Sequence, residues 1–93
     1  MQPSSVEEIR VALAAAQDAA RQRAFDSCDI DDIEELILRV DAELRTMRPN
    51  IQTLATYLNS LARSLRADAA NRSVCLQIDS AMRNAGVPTY WDH

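Results

Sequence analysis

Between residues 30 and 65 the large aliphatic side chains recur at alternating steps of three and four: Ile30, Ile33, Ile37, Val40, Leu44, Met47, Ile51, Leu54, Leu58, Leu61 and Leu65. Eleven successive positions thus keep the a/d phase of a heptad repeat, which predicts helix with one apolar ridge. Only Leu36 and Leu38 among the large aliphatics of this stretch lie off the ridge. Leu36 and Tyr57 fall at g positions and widen the stripe. A stripe that wide suits a helical bundle better than an isolated two-stranded coil.

Pro49 interrupts this ridge. Inside a helix a proline loses a hydrogen bond and clashes with the preceding turn, at about 3 kcal/mol, and it drives the residue before it out of the α region. At the start of a new helix it costs little. The heptad phase continues across Pro49, which favours one kinked rod that must dimerise to cover its ridge. The proline penalty favours a turn at residues 48–50, and the expected architecture is an antiparallel hairpin of residues 29–48 and 50–70.

The flanks add shorter helices. Ser5 followed by Glu8 forms a capping-box pattern ahead of Val6, Ile9, Leu13, Ala16 and Ala20, leaving residues 1–4 as a loose terminus. This first helix narrows to alanine and reads as a docked accessory element. Ser27 or Asp29 is a suitable N-cap for the next helix, and the acids that follow complement its macrodipole. Beyond Leu65 the ridge meets Asp68 and Arg72, and apolar residues resume at Val74, Ile78, Ala81, Met82 and Ala85, on the face opposite Leu65 at 100° per residue. Either the helix breaks near residues 71–73, with Ser73 as a suitable N-cap for a separate helix, or one helix turns a second face toward a different partner. Gly86 then fits a left-handed helix end, Val87 can contact Met82, and Pro88 prevents continuation. Residues 87–93 form a non-helical tail carrying Tyr90 and Trp91, either folded back over a core short of aromatics or presented as interface anchors.

Composition narrows the class. Helix formers dominate a chain of 93 residues with 47% hydrophobic and 4% aromatic content and one glycine. The result is an all-α chain: one domain, residues 1–93, as a small three- or four-helix bundle with a homodimer or hetero-complex as a means of enlarging a modest core. The net charge is −4, and all ten basic residues are arginine, a bias that points to a GC-rich bacterial or phage genome. Residues 1–35 hold nine acids against three arginines, whereas residues 36–93 hold five against seven. The acidic start, with Asp29, Asp31, Asp32, Glu34 and Glu35 as a candidate patch, repels phosphate and suits a basic protein surface. The N-terminal stretch lacks a basic, apolar signal pattern, and its alanine-leucine run is too short to span a membrane, so a cytoplasmic location with no membrane partner is the expectation.

No chemistry-bearing motif stands out. The acids of residues 26–35 do not match a calcium loop, because Ile33 occupies a ligand position and no glycine follows. Cys28 and Cys75 form no metal motif with the terminal His93 and read as reduced, packed thiols. One glycine cannot make a phosphate loop, there is no lysine, and neither cysteine has a placed base. No catalytic residue, metal or cofactor is therefore expected. A regulator of nucleic acid would need Arg39, Arg45, Arg48, Arg63, Arg66 and Arg72 on one side, where Asp41 and Glu43 dilute them. The expected function is non-catalytic protein binding, as an adaptor, a small chaperone or co-chaperone, or an inhibitor of a larger assembly. Val74, Ile78 and Met82, with Tyr90 and Trp91, are the candidate partner-binding residues. The alternative is a structural subunit of a helical assembly.

Overall fold

The computed structural model describes residues 2–22, 27–66 and 69–89, without the side chains of residues 27–29 and 69. Four helices make up the described chain: α1 (Pro3–Gln22), α2 (Ser27–Leu44), α3 (Ile51–Arg66) and α4 (Arg72–Ala85), with a 3-10 turn at Ala69–Asn71. Each helix packs against its neighbour in the chain, and α4 closes the ring against α1. Contacts fix an alternating up-and-down order. Arg21 reaches Glu34 and Arg10 reaches Asp41, so α1 and α2 run antiparallel. Cys75 Sγ lies 3.7 Å from the Ala62 carbonyl across α3 and α4, and Asn84 donates to Glu8 across α4 and α1.

The ridge between Ile33 and Leu65 is the core of this bundle. Ile33, Ile37, Val40, Leu44, Leu54, Leu58, Leu61 and Leu65 are buried, with Leu36, Ile51 and Tyr57 packed at their edge. Ile30 is half-buried. Met47 departs from the pattern and is fully exposed. It sits in the loop between the two central helices, because α2 ends at Leu44, four residues before the expected boundary. Several interactions stop it there. Arg45 N–H is shared between the Asp41 and Ala42 carbonyls, and Thr46 donates from both N–H and Oγ1 to the Glu43 carbonyl. The Glu43 carboxylate then accepts the Asn50 N–H at 2.8 Å. Asn50 is the N-cap of α3, its Oδ1 accepting the Thr53 N–H at 3.0 Å. Pro49 therefore stands just outside α3, where its fixed φ and missing N–H cost no helical bond. The hairpin is present with bounds 27–44 and 51–66, and the heptad phase across residues 45–50 is carried by a loop.

Two helix starts differ from the capping patterns. α1 begins at Pro3, a position suited to proline because the first-turn N–H has no intrahelical acceptor. Gln2 supplies the cap carbonyl to Ser5 and Val6. Ser5 is thus inside the first turn, and Glu8 spends its carboxylate on Asn84, 2.8 Å away, instead of a capping box. The N-cap of α4 is Asn71, not Ser73; its side chain turns back to the Leu65 carbonyl at 3.1 Å and makes no cap bond. Asn71 is fully buried, so this amide ties the end of α3 to the start of α4.

α1 is more than an accessory. Ile9, Ala12, Leu13, Ala16, Ala19 and Ala20 are buried, and its alanine seam lets α4 approach closely. The end of α4 forms as the sequence predicts. Gly86 adopts φ 77°, Gly86 N–H donates to the Arg83 carbonyl, and Val87 N–H to the Met82 carbonyl at 2.8 Å. A Cβ at Gly86 would meet nothing within 4 Å, leaving conformational strain as the cost of substitution. Gly86→Ala should therefore lose about 1–2 kcal/mol in urea unfolding, the penalty of a left-handed L-residue.

Past Gly86 the chain folds back. Val87 is buried, and the Pro88 carbonyl accepts a bond from Asn59 Nδ2 on α3 at 3.1 Å. Asn59 is itself buried and also donates to the Ala55 carbonyl at 2.6 Å. Asn59→Ala leaves the Pro88 carbonyl short of a donor and should cost about 1–3 kcal/mol. Loss of cooperative protection at the Val87 amide in hydrogen exchange would accompany it.

Candidate functional site

The face expected to meet a partner is occupied from within the chain. Ile78 and Met82 have no exposed surface, and Val74 is half-buried against the same core. The reason is the break after α3: α4 restarts at Arg72 and turns these residues inward, into the core it shares with the other helices. Tyr90 and Trp91 lie outside the described residues. The surface left open to a partner is on the outer faces of the helices.

Among the described large hydrophobic side chains within helices, Leu38 is the most exposed, at 68%. It is one of the two leucines off the ridge. On α2 it sits well to one side of Ile37, toward α1, beside a shallow groove of about 290 Å³. Leu13 and Ala14 of α1 and Ile37 and Leu38 of α2 supply apolar lining, and Arg10, Gln17 and Asp41 frame it. The groove exists because α1 presents alanine and glutamine where a larger aliphatic residue would cover Leu38.

Asp41 is the charged α2 residue at the groove, and further acids lie toward the start of α2. Asp31, Asp32 and Glu35 are exposed, and Glu34 is half-buried; the side chain of Asp29 lies outside the described residues. Arg21 lies 3.7 Å from Glu34 and Arg10 3.9 Å from Asp41, bridging α1 and α2. Asp41 also pairs with Arg45 at 3.0 Å, and Glu35 with Arg39 at 2.9 Å. Pairs this exposed contribute little stability, so their value lies in fixing helix register and side-chain position. Arg39 also stands 5.8 Å from the Tyr57 ring centroid, and its pKa is raised, first by the bond to Glu35 and then by Tyr57.

The arginines of the middle of the chain do not share one side. Arg39 and Arg45 belong to the ion pairs of α2, and Arg48 is in the loop. Arg63, Arg66 and Arg72 are exposed on α3 and α4. Cys75 is a free, buried thiol between these two helices, and burial pushes its pKa up, with Arg66 drawing it back in part. Burial disfavours the thiolate, which is the reactive form of a cysteine. The side chain of Cys28 lies outside the described residues. Among the described residues, no cluster of His, Cys, Asp and Glu is placed to hold a metal, and no helix is long and apolar enough to cross a membrane.

Leu38 was visible in the sequence as an aliphatic residue with no place on the ridge. Leu76, 54% exposed on α4, carried no such mark, because its neighbours Val74 and Ile78 drew the apolar assignment. No protein-family model matches the chain, and no curated protein or solved structure matches it either.

Proposed function

We propose that this chain is a non-catalytic protein-interaction module, working in the cytoplasm as an adaptor, a small chaperone or co-chaperone, or an inhibitor of a larger bacterial or phage-related assembly. The docking surface is the outer face of α1 and α2. A leucine with two thirds of its surface in water, beside a groove lined by Leu13, Ala14 and Ile37, carries this reading. Such a side chain gains free energy only when something covers it, and the polar frame of Arg10, Gln17 and Asp41 resembles the rim of a small interface. The acids at the start of α2 favour a basic partner surface and speed its approach. The mechanism is burial of Leu38 in a partner contact, with the flanking charges setting orientation.

Affinity capture from the native host with wild-type, Leu38→Asp and Val11→Asp chains tests this. Both replaced side chains are exposed, so both variants should keep the wild-type circular dichroism. Val11 lies on α1 away from the groove lining and should retain the partner. Leu38→Asp should weaken retention about 30-fold or more, the effect of removing an interface anchor. Equal recovery with all three chains would overturn the assignment of this face.

A further inference from the structure

The two halves of the bundle carry opposite charge. α1 and α2 hold ten acids and three arginines, whereas α3 and α4 hold one acid and four arginines, and α3 has no acid at all. In a ring closed by α4 against α1, the outer side of α1–α2 lies across the molecule from the outer side of α3–α4. An exposed leucine stands on each side: Leu38 on the acidic one and Leu76 on the basic one.

The surroundings of Leu76 follow from helix geometry. Ile78 and Met82 point into the core and Cys75 toward α3, which leaves Leu76 on the outer surface in line with Arg72, one turn before it. The Cys75–Ala62 contact sets the antiparallel register, bringing Arg63 and Arg66 of α3 to the level of Leu76 and Arg72. All three arginines are exposed. Leu76 is therefore an apolar knob with cations around it, and the α1–α2 groove is an apolar hollow on the acidic half of the bundle, framed by Arg10, Gln17 and Asp41.

We propose that the occupant of the α1–α2 face is a second copy of this chain, docked through its α3–α4 face with Leu76 seated against Leu38, Leu13 and Ala14. This rests on the reading of α1–α2 as a docking surface and names its partner. Pairing of two identical faces would set acid against acid or cation against cation, which is unfavourable, whereas unlike faces attract. The contact is heterologous. Each copy that docks leaves one face free at each end, so association propagates into short chains unless the rotation closes a ring. A face one helix pair wide places the contact at the small, reversible end of interfaces, and its ionic part weakens as salt shortens the screening length.

Sedimentation velocity on the purified chain tests this with Leu38→Asp and Leu76→Asp, two surface changes that should leave the fold intact. The wild type should show a weight-average mass that rises with protein concentration in about 0.02 M salt and falls toward the monomer in about 0.5 M. Each variant alone should associate at least about 30-fold more weakly. An equimolar mixture should recover a 1:1 pair and nothing larger, because each variant keeps the face the other has lost. A wild type that stays monomeric, variants that associate like the wild type, or a mixture that stays monomeric overturns the proposal. If the wild type is monomeric while Leu38→Asp still loses its captured partner, the docking face stands and its occupant is a different protein. If capture is also unaffected, the docking face itself is wrong.

Discussion

Ile78→Asp should unfold the chain at room temperature or leave it with only a remnant of cooperative unfolding. Ile78, on α4, is fully buried in the core shared by the four helices. Truncating a buried isoleucine costs about 2–5 kcal/mol through lost transfer and the cavity left behind. A carboxylate in its place adds several kcal/mol more, because an uncompensated charge must be desolvated or protonated. The combined loss, about 5 kcal/mol or more, rivals the whole stability of a domain this size. Circular dichroism would show it as a midpoint lowered by at least about 20 °C, given about 4–8 °C per kcal/mol for small domains. Val74→Asp should lose less, since Val74 is half-buried and can turn toward water. The same two substitutions would have left a helical but binding-deficient chain had the face been an interface.

Leu58→Ala and Met47→Ala should differ sharply although both residues stand on the same heptad ridge. Leu58 is 1% exposed in the centre of α3, and its truncation should cost about 2–5 kcal/mol. Met47 is fully in water, and its loss should fall within about 0.5 kcal/mol of wild type. Urea midpoints with unchanged slopes would measure both. A comparable cost at Met47 would mean that the loop is covered and that the ridge runs on through Pro49.

That contrast shows how far the residues themselves disclose the architecture. Ile33, Ile37, Val40, Leu44, Leu54, Leu58, Leu61 and Leu65 were identifiable as core because burial and helical period act on the same side chains. Met47 was misplaced because periodicity records spacing, not chain direction. A loop of six residues happened to restore the phase on the far side of Pro49. The proline was the better guide, since its missing N–H and restricted neighbour are local facts that no partner can change. Gly86 was legible for the same local reason: its left-handed conformation and the two carbonyls it helps satisfy lie within one turn.

The docking face was less legible. Val74, Ile78 and Met82 do form an apolar stripe distinct from the ridge, but the stripe says nothing of what covers it. The cover is the core of the bundle itself, to which α1 contributes Ile9, Leu13 and its alanines while packing against α4. Once the stripe is part of that core, the unmatched aliphatics are those the period could not absorb, Leu38 above all. The charge segregation noted between the two ends of the chain becomes a segregation between two sides of the molecule only when α4 returns to α1. Asn59 and Asn71 were not singled out, because a polar residue within an apolar pattern gives no hint that it clasps a carbonyl of another segment.

One chain covers its own ridge, so that α1, α3 and α4 do what a twin would do for an open rod. Urea unfolding at protein concentrations about 100-fold apart, in about 0.5 M salt to suppress ionic association, tests this most directly. A self-sufficient bundle unfolds at the same midpoint at both concentrations. A midpoint that climbs with concentration would mean that folding requires a second chain, and would contradict the account.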